Sequence, residues 1–365
     1  MRNNKKWGSR DRRFFAETVY DCVRWWKLYT YLLGDEEPSE TLPVIAVSLW
    51  HRGMEIPYID EFNHLKPDVW GKKFAKISDL HIKESIPQWL FDYAKNDLGN
   101  VWEEILPYLN KPNKLVLRVN QLKSNKNQLI QFLQEQKIEA LELDGCENGL
   151  IVPERANVFK TEAFKKGWFE VQDGSSQQVA SYLQVEPGMR VVDACAGAGG
   201  KTLHIADILQ NRGKIISMDI HQWKLDQLKL RARRNGYSNI ELKLIESSKT
   251  IKRLKGTADR LLLDVPCTGL GVLRRNPDTK WKVSDSSIKE LLKTQKDILN
   301  QYSKMLKPQG LMVYATCSVL NCENGDQVQS FLNENKDFEL LKQKRIYPTR
   351  DGFDGFYMAL LRKFQ

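Results

Sequence analysis

Apolar residues recur at helical spacing in the first third of the chain. In residues 11–33 they are Phe14, Phe15, Val19, Tyr20, Val23 and Trp26, set against a basic face of Arg10, Arg12, Arg13, Arg24 and Lys27. That spacing predicts an amphipathic helix. Pro87 opens a second at Gln88, since proline fits a first turn, and residues 101–109 form a third amphipathic stretch. Pro38, Pro43, Pro57 and Pro67 mark the linkers between them. Residues 113–173 change character. Residues 114–120 read as a strand, and residues 125–136 put Leu129, Ile130, Phe132 and Leu133 on one helical face. Residues 140–143 and 149–152 read as short strands flanking a Gly/Asn turn. A small α+β module is expected there. From Ser176 onward, strand patterns at 190–195, 214–220, 240–245, 260–265 and 311–316 alternate with helical ones at 202–209, 222–235 and 288–306. That alternation predicts a parallel, doubly wound α/β sheet. Residues 338–346 and 356–362 break the rhythm, with no helix between them, and are expected to pair antiparallel at the sheet edge. The expected division is a helical region over 1–110, an α+β module over 111–173 and the doubly wound domain over 174–365.

Composition narrows the classes. The 365 residues are 41% hydrophobic and 28% charged, enough for two or three cored domains. Lys and Arg outnumber Asp and Glu by 56 to 46, and a net charge of +10 favours an anionic partner. No apolar run approaches the roughly 18 residues that span a bilayer. No signal-peptide segment follows the basic N-terminus, so a cytoplasmic protein is expected. The six cysteines form no CxxC pair and the five histidines are scattered, so neither a zinc site nor a disulfide framework is expected.

Four motifs carry candidate chemistry. Val191-Val-Asp-Ala-Cys-Ala-Gly-Ala-Gly-Gly-Lys-Thr202 runs from a buried strand through a glycine-rich turn into a helix. Glycines let a ligand approach the backbone, and the helix start favours negative charge. It is not a Walker loop, because Cys195 stands where that motif needs its first glycine. Asp219 ends the second strand, about 20 residues further on, where an acid holds ribose hydroxyls. Leu261-Leu-Leu-Asp-Val-Pro-Cys-Thr-Gly269 puts Asp264 and Cys267 at a third strand's carboxyl end, and Val313-Tyr-Ala-Thr-Cys-Ser318 puts Cys317 at another. Singly, each cysteine reads as core. Together, two thiols and a carboxylate beside a ribose-binding loop form a constellation that packing does not require.

These motifs resemble the Sun/RsmB family of S-adenosylmethionine-dependent RNA (cytosine-5) methyltransferases. The resemblance runs from about residue 10 to the end and includes Gly167-Trp-Phe-Glu-Val-Gln-Asp-Gly-Ser-Ser176, Arg274-Arg-Asn-Pro-Asp278, Lys280-Trp281, Glu323-Asn324 and Asp354-Gly-Phe-Tyr357. It implies a class I methyltransferase Rossmann-like sheet, preceded by an RRM-like module and a helical region. S-adenosylmethionine is then expected along Cys195, Ala196, Gly197, Ala198, Gly199, Gly200 and Lys201, with its ribose on Asp219 and further contacts from Asp264. Lys224 is either a second contact or a solvated side chain. The resemblance assigns Cys317 as nucleophile, Asp264 as the group that binds the base, and Cys267 as the group that releases product. Arg274, Arg275 and Lys280 are the expected RNA contacts.

Two departures from the family stand out. After the third strand the chain reads Ile245-Glu-Ser-Ser248, where the family has an acid on the adenine side, so Ser247 or Glu246 must serve. The family's helical region often begins earlier than Met1 does here, which reads as a missing first helix. The expected substrate is 16S ribosomal RNA, with tRNA as the alternative, and a monomer is expected. A nicotinamide dehydrogenase would explain the glycine loop and Asp219 but leaves Asp264, Cys267 and Cys317 idle. A non-catalytic ribosome-assembly factor would need none of the three.

Overall fold

The helical spacing of residues 11–33 forms helices in the computed structural model of the chain, which describes residues 6–35, 37–154, 156–348 and 352–364. It does not form one helix. Ser9–Arg24 and Trp26–Leu33 are separated at Trp25, whose φ of −110° and ψ of 19° leave the helical region. Phe14, Phe15, Val19 and Tyr20 lie between 41% and 56% exposed. The core comes instead from Leu28, Tyr29 and Leu32, packed with Val44, Val47 and Trp70. The last three belong to helices Leu42–His51 and Pro67–Ala75. Pro43 and Pro67 therefore open helices rather than mark linkers. A first-turn N–H has no helical partner, so proline loses nothing there. Helices Gln88–Leu98 and Asn100–Leu109 follow as their patterns predict.

These helices and the distant segment Leu273–Ser284 make one structural unit, and Pro112–Val272 with Asp285–Gln365 make the other. Arg24 donates to the carbonyls of Leu273 at 3.3 Å and Arg274 at 2.7 Å. Trp281 Nε1 donates to the Val23 carbonyl at 2.7 Å. No local pattern marks that segment as part of the helical unit.

The second unit begins with strands β1 (Leu115–Val119), β2 (Leu141–Glu142), β3 (Gly149–Val152) and β4 (Phe169–Val171). They form an antiparallel sheet in the order β2-β3-β1-β4. Helix Lys126–Glu135 covers it, started by an Asn125–Gln128 capping box and anchored by Leu129 and Leu133. This is the RRM-like, ferredoxin-like arrangement. β4 has no strand signature, because the three residues Phe-Glu-Val are too short a run for their alternation to mark a strand.

Seven further strands form the main sheet: β5 (Arg190–Asp193), β6 (Lys214–Asp219), β7 (Ile240–Leu244), β8 (Ala258–Asp264), β9 (Leu306–Thr316), β10 (Phe338–Ile346) and β11 (Phe356–Lys363). Their order is β10-β11-β9-β8-β5-β6-β7. β5, β6, β7, β8 and β9 pair in parallel, and β11 lies antiparallel between β9 and β10. Core clusters cover both faces, one around Val191, Leu203 and Val313, the other around Val192, Leu263 and Met312. This is the expected Rossmann-like, doubly wound sheet. The chain leaves β5 on one side for β6 and later returns to the other side at β8, so a crevice opens at their carboxyl ends.

Candidate active site

The glycine-rich turn after β5 is held by its own backbone and by Asp219. The Ala196 N–H donates to the Met218 carbonyl at 2.8 Å. The Gly197 N–H donates to Asp219 Oδ2 at 2.9 Å, and the His221 N–H donates to Asp219 Oδ1 at 2.9 Å. One backbone donor on each oxygen fixes the carboxylate's orientation. Gly199 has a φ of 90°, and a Cβ there would lie 2.1 Å from Leu228 Cδ1, so both conformation and space require glycine. Two arginines hold the outer carbonyls of the turn. Arg231 Nη1 donates to the Ala198 carbonyl at 2.6 Å, and Arg118 Nη1 to the Gly200 carbonyl at 3.0 Å.

A cavity of about 420 Å³ lies beside this turn, lined by Cys195, Gly197, Asp219, Lys224 and Asp264 among the expected residues. Lys224 Nζ stands 3.9 Å from Asp219 Oδ1. Ala196, Ala198, Gly199, Gly200 and Lys201 shape the turn without lining the cavity. Neither Ser247 nor Glu246 lines it. Ile245 forms the wall there, and Thr294, Asp297, Gln301 and Tyr302 close another side. These four sit on helix Asp285–Tyr302, which reads in sequence as an ordinary amphipathic helix, so nothing in the pattern marks them.

β8 and β9 are parallel neighbours, with Asp264 in register with Ala315, and they bring their chemistry to one edge. Cys267 Sγ and Cys317 Sγ are 3.5 Å apart. The hydrogen bond to Cys317 and then burial push the Cys267 pKa well above that of an ordinary thiol. Lys201 Nζ donates to Asp264 Oδ2 at 2.6 Å and sits 5.0 Å over the Phe356 ring. Burial opposes the ammonium charge, but the Asp264 carboxylate outweighs it and holds the Lys201 pKa above its usual value. Lys201, expected as a cofactor contact, thus partners Asp264.

The expected RNA contacts separate. Lys280 is 0% exposed; its Nζ donates to the Arg24 carbonyl at 2.7 Å, and burial drives its pKa well below that of a free lysine. Arg274 is 5% exposed and donates from Nε to the Tyr108 carbonyl at 2.6 Å. Both tie the helical unit together and offer no surface to a phosphate. Arg275 is exposed. Among the described residues, no cluster of His, Cys, Asp and Glu could hold a metal ion, and no helix is long and apolar enough to cross a membrane.

Residues 180–362 match the family model for 16S rRNA methyltransferase RsmB/F. Residues 86–159 match the ferredoxin-like domain of RsmF/B-like methyltransferases, a stretch that takes in the last two N-terminal helices as well as β1–β3. A probable ribosomal RNA small subunit methyltransferase B from Synechocystis sp. is 30% identical over 97% of this chain and 91% of its own length. Ribosomal RNA small subunit methyltransferase B from Proteus mirabilis is 34% identical over 81% of this chain and 69% of its own. The crystal structure of PH0851 superposes with a TM-score of 0.84 at 26% identity, covering 99% of this chain and 92% of that one.

Proposed function

The chain belongs to the RsmB/F family of 16S rRNA methyltransferases, and from that premise we propose that it methylates C5 of a cytosine in 16S rRNA, with S-adenosylmethionine as methyl donor. The observation that carries this reading is the pair of thiols 3.5 Å apart, beside the Lys201–Asp264 ion pair, at adjacent strand tips.

The cavity suits the proposed cofactor. It lies at the carboxyl ends of β5, β6 and β8, its turn exposes backbone to a ligand, and Asp219 presents an oriented carboxylate for two ribose hydroxyls. When bound there, S-adenosylmethionine supplies an electrophilic methyl group on a sulfonium sulfur.

Cytosine C5 is a weak nucleophile until C6 is attacked. The Cys317 thiolate adds to C6, forming a C–S bond and pushing electron density onto C5. Asp264 accepts a hydrogen bond from the exocyclic amine, and Lys201 fixes the orientation of that carboxylate. After methylation the C5 proton passes to water, its bonding pair re-forms the C5–C6 double bond, and the C–S pair leaves on Cys317 as thiolate. Cys267 assists that elimination. A base reaches such a site only when splayed from its stack, which suits single-stranded or loop RNA. Exposed Arg275 is the proposed phosphate contact.

A covalent mechanism divides the barrier between two steps with different essential groups. Cys317→Ala should abolish methylation and trap no RNA. Cys267→Ala should add and methylate but fail to eliminate, leaving a protein–RNA species that survives denaturing gels and disappears with RNase. Trapping in Cys317→Ala alone would make Cys267 the nucleophile. Trapping in neither, with only a small loss of stability, would make both thiols structural. Bisulfite sequencing of RNA from cells with and without the gene reads out the modified base.

A further inference from the structure

The two thiol-bearing strand tips meet at a carboxylate the mechanism has not used. Glu323 is 0% exposed. Its Oε1 accepts from the Thr268 N–H at 2.8 Å and from Gln295 Nε2 at 3.0 Å, and its Oε2 accepts from Thr268 Oγ1 at 2.6 Å. Thr268 follows Cys267 directly, and the same Thr268 hydroxyl lies 3.2 Å from Ser318 Oγ, the residue after Cys317. Gln295 Nε2 also donates to the carbonyl of Pro266, the residue before Cys267, at 3.0 Å. The Glu323 backbone carbonyl accepts from Tyr314 on β9 at 2.6 Å, and neighbouring Asn324 Nδ2 donates to the Ser318 carbonyl at 3.1 Å. One side chain therefore reaches both neighbours of Cys267, directly or through Gln295, and one neighbour of Cys317 through Thr268.

A glutamine could make nearly the same bonds without the cost of burying a charge. The acid adds a negative field beside Cys267, and a like charge disfavours a second anion. Among the causes that raise the Cys267 pKa, the charge of Glu323 follows the hydrogen bond to Cys317, burial and the charge of Cys317.

We propose that Glu323 is a positioning residue: it fixes the gap between the two thiols and assigns the proton to Cys267 and the negative charge to Cys317. The proposal rests on the covalent reading of the site, because only there does it matter which sulfur is the thiolate.

Glu323→Gln separates charge from shape. Its carboxamide oxygen still accepts from Thr268 and Gln295, and its NH₂ donates to the Thr268 hydroxyl, which turns toward Ser318. The readout is the pH profile of iodoacetamide alkylation at each cysteine, resolved by mass spectrometry on the full chain without RNA. In Glu323→Gln the Cys267 profile should move down by about one pH unit, a roughly tenfold faster alkylation at fixed pH below both midpoints. Methylation should lose kcat with the RNA KM unchanged. A Cys267 profile superposing on the wild type, in a variant with wild-type melting, overturns the charge assignment. Gln295→Leu keeps the charge and removes one tie, and stays informative if Glu323→Gln does not fold. It should lower kcat without moving the Cys267 profile, and an unchanged kcat overturns the positioning role. The alkylation profile needs neither RNA nor turnover. A failure of the covalent reading, seen by trapping in the cysteine variants, is therefore distinguishable from a failure of this one.

Discussion

At the end of β5, Asp193 carries a carboxyl group into a place that is 1% exposed, where Thr202 Oγ1 donates to its Oδ2 at 2.6 Å. Burial raises its pKa from 3.8 to about 7, against the pull of the Thr202 hydrogen bond, with the Asp264 charge adding to the rise. The folded chain thus holds this proton more tightly than the unfolded chain does. The stability it contributes is fully present below pH 3.8 and is lost as pH rises through about 7. Asp193→Asn keeps the shape and the bond from Thr202 but cannot ionise. Between pH 4 and pH 8, wild type should lose Tm relative to this variant by roughly several degrees. Parallel melting curves across that range would show that the group does not titrate there. Lys201, in the first turn of the next helix, shows the opposite balance. It is half-buried, and it has a carboxylate partner 2.6 Å away and stays charged.

Among the elements, the three-residue strand β4 reaches beyond its own sheet. Glu170 in its centre accepts from Arg231 Nη2 at 2.8 Å and from Asn235 Nδ2 at 2.6 Å, and it also pairs with Arg234. Arg231 in turn holds the Ala198 carbonyl. Gln172, just past β4, accepts from Arg118, which holds the Gly200 carbonyl. The small module therefore positions the glycine-rich turn through two guanidinium groups. Arg231→Met should leave Glu170 with its other partners and free the Ala198 carbonyl. The Kd for S-adenosylmethionine should then rise roughly tenfold, about 1.4 kcal/mol, by calorimetry. An unchanged Kd would mean that the turn needs no support from β4. None of this coupling is legible in the sequence, although the motif containing Glu170 is. The central strands β8 and β9 are legible because strands buried on both faces read as unbroken apolar runs, Leu261–Leu263 and Leu311–Ala315. Strand β4 has a buried glutamate at its centre and gives no such run. The break at Trp25 and the exposure of Phe14 and Tyr20 escape the pattern for a related reason. Helical periodicity fixes which residues share a face, but not whether anything covers it.

On the scale of the whole molecule, a net charge of +10 is informative only once each cation's surroundings are known. In sequence, Arg274, Arg275 and Lys280 form one basic run. The fold spends two of the three on carbonyls that lie 166 and 256 residues away along the chain. The two thiols, Asp264 and Asp219 are legible because they lie at the ends of strands that share one sheet edge. The basic run was not, because its partners are set by tertiary packing alone. Two substitutions in that run should therefore fail in different ways. Lys280→Met removes a fully buried amine and leaves the Arg24 carbonyl without this donor, so Tm should fall. The salt dependence of RNA binding should stay as in the wild type. Arg275→Ala should lower the slope of log K against log salt by about one, the release expected from one phosphate contact. A slope unchanged in Arg275→Ala would move the RNA track to another basic surface. A slope reduced in Lys280→Met at unchanged Tm would mean that the buried amine reaches RNA after all.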